Sequence, residues 1–421
     1  MNEKNKNKII SVIDIGTTKI IVLIAEYNLH ENKISKIIGF GESRSNGLQR
    51  GVVVDISKTI KSITDAVEDA ENQAGFEISE AFVGISGNHI KGLNYSGVTS
   101  ISSDKQNQAI GQSITEDDID KVQELAANIN ISPDRRIMHV LPQEYIVDNQ
   151  EGISSPLGLS GRRLEAKVHL VTSSVNTEKD ILTCLDQLSI HVSDFILEPL
   201  ASSCSILNQD EMNLGSILVD IGGGTTDIIS YNNGSVLHTG VVPIGGEILT
   251  KDIAYRIQTS IDQAEQLKQN YGQSNLAHAS SDEDIIVKGV SGRNEFKISQ
   301  KLLSEVIEPR IQEIFELVKI EIDQSNYKGD YTFGIILTGG GSKLNGILNT
   351  AADIFNMPVK IGLPIHDFDI KNSDFDPFDP RYATSIGLIK YVGQNFENYN
   401  KTKQNSFIKK VKHFLKELIN N

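Results

Sequence analysis

The chain has 421 residues, 39% of them hydrophobic and 23% charged, which is ordinary globular composition and length for two or more domains. A formal charge of −15 makes binding of nucleic acid along the surface a poor reading. The two cysteines, Cys184 and Cys204, form no CxxC pair and no cysteine–histidine cluster, which excludes a disulfide framework or zinc site and suits a reducing cytoplasm.

Met1 to Lys8 is polar, and the apolar run after it reaches Asp14 at once, too short for a signal peptide. No stretch approaches the ~18 apolar residues of a membrane span. A soluble cytoplasmic protein is expected. Strand-like and helix-like segments alternate, which argues an α/β architecture. Ile9 to Tyr27 reads as two β runs around a glycine–threonine turn, and Lys33 to Ser43 as a further strand. Ala81 to Lys167 carries its own signals and reads as an inserted subdomain. In it, Thr115 caps a helix running to Leu125, and Met138 to Asp148 reads as strands. Ser216 to Tyr231 repeats the first hairpin, with Gly234 to Ile244 as its following strand. A hairpin repeated in two halves predicts two related domains facing each other. Gly245–Ile257 and Ile298–Ile322 read as long helices flanking a polar stretch, Gly272 to Asp284. Asn395 to Asn405 reads as a flexible linker, followed by one short amphipathic segment.

The first hairpin turn is DIGTTK, Asp14 to Lys19. A phosphate chain needs several backbone N–H groups pointing into one concavity, and glycine permits close approach. Thr17, Thr18 and Lys19 add hydroxyl and ammonium groups, and Asp14 can hold magnesium through water. Alone, this motif is equally well read as a hairpin turn. The second copy, DIGGGTTD from Asp220 to Asp227, shifts the balance. Gly222, Gly223 and Gly224 in succession weaken a hairpin and need a reason beyond turning the chain. Asp220 precedes its glycines as Asp14 does, and Thr225 and Thr226 follow. Two such loops facing each other make a clamp for a triphosphate. A third element, Ile335 to Ile347, places Gly339, Gly340, Gly341 and Ser342 between a strand and a helical start, where they can pack against a base and ribose. No Walker A loop is present.

These elements occur in the order found in the actin, sugar-kinase and heat-shock-chaperone ATPase superfamily. Arg136 to Thr172, VDIGGGTTDI, VIEPR and the amphipathic end together resemble the bacterial cell-division FtsA family across essentially the whole chain. The resemblance implies an actin-like, ribonuclease-H-like duplicated ATPase fold with that family's inserted subdomain. It further implies residues 1–83 and 168–200 as a first domain, 84–167 as the insert, and 201–244 with 325–394 as a second domain. Residues 245–324 would form an FtsZ-binding subdomain. ATP and magnesium are the implied cofactors, with Asp14 and Asp220 holding the ion through water. Gly16 to Lys19 should line the first phosphate loop, Gly222 to Thr226 the second, and Gly339 to Ser342 the adenosine. Glu265 and Lys268 match a pair bordering ribose and base, though an exposed i,i+3 helix pair explains them equally well. Glu198 sits where related ATPases place a water-orienting glutamate. The family often lacks it, so ATP binding with weak or no turnover is implied.

The implied partners are the FtsZ C-terminal peptide, further copies of this chain in a polymer, later division membrane proteins at the insert, and anionic lipids. Lys301, Glu305 and Arg310 on the second long helix are offered to the FtsZ peptide. The implied place is the cytoplasmic face of the inner membrane at the division septum. In Ser406 to Asn421, at about 100° per residue, Phe407, Ile408, Val411, Phe414, Leu415, Leu418 and Ile419 fall within an arc of roughly 140°. Lys409, Lys410, Lys412 and Lys416 take the other face. From Asn400 onward, six lysines stand against one glutamate, a local +5 on a chain of −15. That segment is the expected membrane anchor. A pilus-assembly actin-like adaptor and a small-molecule kinase of the same superfamily are the alternatives.

Overall fold

The computed structural model describes residues 7–101, 112–281, 284–289, 294–325, 329, 331–371, 375–397 and 399. Each half is built on a sheet begun by one of the repeated hairpins. In the first, the order is His191–Leu197, Glu80–Ile85, Asn7–Ile15, Lys19–Asn28, Lys33–Arg44, Asp369–Ile370. In the second, it is Ser235–Val242, Thr226–Asn232, Ser216–Ile221, Ile335–Thr338, Val359–Ile361. Both sheets join an antiparallel three-stranded meander to parallel strands on the far side of its first strand. The duplication therefore extends well beyond the hairpins.

The central strands are apolar on both faces because helices cover both, as in parallel sheets. Val12, Ile13, Ile20 to Ala25 and Val83 are fully buried, as are Ile217, Val219, Ile228 and Leu337. Helix Ile56–Ala74 is capped by the Asp55 carboxylate at its start and by left-handed Gly75 at its end. It lies so close on strand Lys33–Arg44 that a Cβ at Gly41 would stand 1.9 Å from the Ala66 carbonyl. Between the halves, helix Glu198–Ile206 crosses the helix 383–397, where a Cβ on Gly387 would meet the Ala201 carbonyl at 1.9 Å.

The insert is a four-stranded antiparallel sheet, ordered Gln150–Ile153, Arg135–Val147, Arg163–Ser174, Lys91–Ser100. Helix Glu116–Ala127 covers it, started by a reciprocal Thr115–Asp118 capping box. Val122 and Ala126 of this helix join Leu164, Ala166, Val168 and Leu170 in a separate small core. Strand Arg163–Ser174 runs unbroken past Lys167, so a division between 167 and 168 falls within one strand.

The stretch expected to open a linker at Asn395 is still helical through 397. Its aromatic residues keep it packed on the first half: Phe396 lies 4.6 Å from the Tyr27 ring and Tyr399 lies 4.9 Å from Phe82. The expected anchor, Ser406 to Asn421, lies outside the described residues.

Candidate functional site

The two hairpin turns meet face to face at the cleft between the halves. A Cβ on Gly223 would stand 2.3 Å from Thr18 Cγ2, and one on Gly224 2.3 Å from Thr17 Oγ1. Neither Gly16 nor any of Gly222, Gly223 and Gly224 has a positive φ. The glycines are there for close approach, not for a left-handed turn. The carbonyls of Gly222 and Gly223 accept hydrogen bonds from Gly246 N and Glu247 N, both at 2.8 Å, at the start of helix Gly246–Ile257. The second loop is thereby tied to that helix. Gly339 does need its conformation: at φ +81°, a Cβ there would also stand 2.2 Å from Asp220 Oδ1. Ser342 Oγ donates to the Gly339 carbonyl at 2.7 Å, holding the third glycine element beside Asp220.

Four acids gather beneath the loops. Asp14 and Asp220 are the penultimate residues of the two first hairpin strands, Glu198 opens the central helix, and Asp227 lies opposite Asp220 in the second hairpin. Burial and the neighbouring Asp220 push Asp14 up to about 7 against the pull of Lys19. Burial raises Asp227 to about 7, with donors from Ser86 and Thr225 opposing. Glu198 is raised well above its usual range by burial and by Asp14, Asp227 and Asp220. Burial raises Asp220 too, although it accepts from Ser202 Oγ at 2.7 Å and Thr384 Oγ1 at 3.2 Å. Among the described residues, no three such groups converge closely enough to ligate a metal directly.

Lys19 reaches across to the Arg381 carbonyl and lies 4.8 Å over the Tyr382 ring. Burial lowers its pKa. Glu265 and Lys268 are ion-paired at 2.7 Å. Lys268 also donates to the Gly246 carbonyl at 3.0 Å and to Thr250 Oγ1 at 2.8 Å. The pair thus clamps the helix start that holds the second loop and is more than an exposed i,i+3 contact.

Asp227, Ser86 and Arg381 were not singled out from the sequence. Asp227 ends the DIGGGTTD turn, so the sequence carries its signal in the acid that closes the motif. Arg381 is 362 positions from Lys19 and gave none.

Away from the cleft, Glu305 and Arg310 line a cavity of about 340 Å³ with Asp252, Tyr255, Arg256 and Pro309. Arg310 Nε donates to Asp252 Oδ2 at 2.6 Å. Lys301, one turn before Glu305, is exposed and outside this lining.

Two family models match: Cell division protein FtsA over residues 217–387, and the SHS2 domain inserted in FtsA over residues 87–172. The Cell division protein FtsA of Pseudomonas aeruginosa is 41% identical over 391 residues, covering 93% of this chain and 91% of that protein. The chain belongs to the FtsA family. The FtsA of Escherichia coli K12 is 35% identical, over 94% of this chain and 93% of its own. Among solved structures, a type IV pilus PilM–PilN biogenesis complex matches with a TM-score of 0.62 at 14% identity, over 91% of this chain and 98% of that one. MreB5 of Spiroplasma citri bound to ADP matches with a TM-score of 0.54 at 14% identity, over 93% and 99%. These likenesses show the actin-like fold alone. The chain is an actin-like cell-division protein of the FtsA family, which sets aside the pilus-adaptor and small-molecule-kinase alternatives.

Proposed function

We propose that this FtsA-family chain binds ATP with magnesium between its halves, polymerises at the cytoplasmic face of the inner membrane, and anchors the FtsZ ring at the division septum. The observation that carries the nucleotide reading is the seating of one glycine loop on the threonines of the other, above four buried acids. Backbone N–H groups from both halves could then grip one phosphate chain. MreB5, whose fold is similar, has been solved bound to ADP and to AMPPNP. Asp14 and Asp220 would hold magnesium through water, and the acids' raised pKa values mark a place that favours an added positive charge. The ion, when bound, neutralises charge on the phosphate oxygens. Glu198 takes the water-orienting role, with hydrolysis weak or absent.

The groove of Glu305 and Arg310 is the seat for the acidic, apolar FtsZ C-terminal peptide, with Arg256 and Arg310 as its cations and Tyr255, Val306 and Pro309 as its apolar surface. Lys301 extends the same helix toward it. The insert is the surface for later division membrane proteins. The segment Ser406 to Asn421 is the anchor on anionic lipid. Seven half-buried apolar side chains contribute ~7 kcal/mol, each lysine ~1 kcal/mol, and helix ordering costs several in return. Micromolar-range binding results, so stable attachment comes from many tails on one polymer.

Co-sedimentation of FtsZ with anionic vesicles tests this reading, using the full chain and Phe414→Glu, with and without MgATP. The full chain should carry FtsZ down and Phe414→Glu should leave both in solution. Undiminished sedimentation of the variant would place the anchor elsewhere.

A further inference from the structure

The first half and the insert it carries hold the second half at two separated places. At the cleft, Ser86, immediately before the matched segment 87–172, donates its hydroxyl to Asp227 beneath the two glycine loops. At the other end, Gln143 Nε2 donates to the Val236 carbonyl at 2.8 Å, and Ser235 Oγ donates to the Gln143 carbonyl at 2.8 Å. There too, Asn94 Nδ2 donates to the Leu237 carbonyl at 3.3 Å. The buried His169 ring joins Asn94 Oδ1 at 2.6 Å to Thr239 Oγ1 at 2.8 Å.

These grips close on a single object. Strand Thr226–Asn232, which carries Asp227, pairs along its length with strand Ser235–Val242, from Thr226↔Val242 to Asn232↔Ser235. Ser235–Val242 is the edge of its sheet, and insert side chains satisfy part of its outward backbone. This edge ribbon of the five-stranded sheet therefore runs from the second glycine loop to the insert. Parting the halves requires both ends to let go. The far interface mixes these polar contacts with apolar packing, since Ile90, Val171 and Leu141 share one buried cluster with Val236 and Val241.

We propose that the insert and this ribbon form a strut coupling the occupancy of the cleft to the position of the inserted subdomain, with Gln143 and Ser235 as the far grip. The proposal rests on the nucleotide reading above. A triphosphate long enough to engage both loops favours the arrangement in which both grips are closed, whereas a diphosphate engages the two loops less fully. The coupling is reciprocal: loosening the far grip lowers the preference for ATP over ADP, and ATP tightens the far grip.

The test measures MgATP and MgADP affinities of the full chain, Gln143→Ala and Ser235→Ala, together with hydrogen exchange over Ser235–Val242. Neither substitution touches the phosphate loops, and Ser235→Ala removes only a hydroxyl, which guards against a variant that fails to fold. The expected result is an ATP/ADP preference reduced about fivefold in Gln143→Ala, the low end of ordinary allosteric coupling, and less in Ser235→Ala. MgATP should slow exchange of the 235–242 amides in the unaltered chain more than MgADP does. Preferences unchanged within about twofold in both variants, with exchange indifferent to nucleotide, would overturn the strut while leaving the nucleotide reading intact. An unaltered chain that bound neither nucleotide would overturn both.

Discussion

The two hairpins at the cleft share a strand frame and differ at the turn. The first turn carries one glycine and two threonines, and the second carries three glycines before its threonines. Taken separately, the second turn looks like a weak hairpin. Placed opposite each other, the two are complementary, with Thr17 and Thr18 filling the space that side chains at Gly224 and Gly223 would occupy. The acids below differ as well. Asp220 accepts from Ser202 and Thr384, whereas Asp14 accepts no hydrogen bond among the described residues and relies on Lys19. One half of the duplicated fold presents threonine side chains at the contact, and the other presents bare glycine backbone. Each loop is explained only by its opposite.

The sharpest way to break this complementarity is Gly224→Val. A Cβ 2.3 Å from Thr17 Oγ1 forces the loops apart, so ATP affinity should fall by more than about a hundredfold, equivalent to ~2.7 kcal/mol. Titration with a fluorescent ATP analogue checks it, and unchanged affinity would separate the loops from the nucleotide. The milder Gly223→Ala should be partly rescued by Thr18→Gly, since the clash is with that side chain. A double-mutant cycle should return a coupling of about 1 kcal/mol or more.

The two acids can be contrasted through pH. Asp14 is raised from 3.8 to about 7 in the folded chain, so over that range the folded state binds more protons than the unfolded one. Its contribution therefore turns against stability as pH rises from about 4 to about 7. Asp14→Asn should raise the Tm of the nucleotide-free protein at pH 7.5, by the equivalent of ~2 kcal/mol, and leave it nearly unchanged at pH 4. Thermal unfolding at the two pH values reads this directly, and equal shifts at both would mean that Asp14 is not the titrating group.

A smaller effect is expected at the better-supported acid. Ser202→Ala removes one of two donors to Asp220 and should cost about 1 kcal/mol at neutral pH, fading as Asp220 takes up a proton. A loss that persists undiminished at low pH would assign Ser202 to packing alone.

Much of this was legible in the chain itself. Alternating apolar runs set the strands, because burial on both faces demands near-continuous Ile and Val, as in Ile20 to Ala25. The repeated Asp–x–Gly turns announced the duplication. Thr115 announced a helix start that the fold completes as a capping box with Asp118. These are local features, set by neighbours a few residues away.

What the tertiary structure alone decided is everything that depends on groups far apart in sequence. Asn395 to Asn405 reads as polar linker, yet Phe396 and Tyr399 meet Tyr27 and Phe82, rings supplied by the opposite end of the chain. Lys19 finds the Arg381 carbonyl, and Ser86 finds Asp227. The three glycines of the second turn carried a need without a reason, since no local conformation called for them. Their reason is the surface of Thr17 and Thr18, brought there only when two separately folded sheets close on each other.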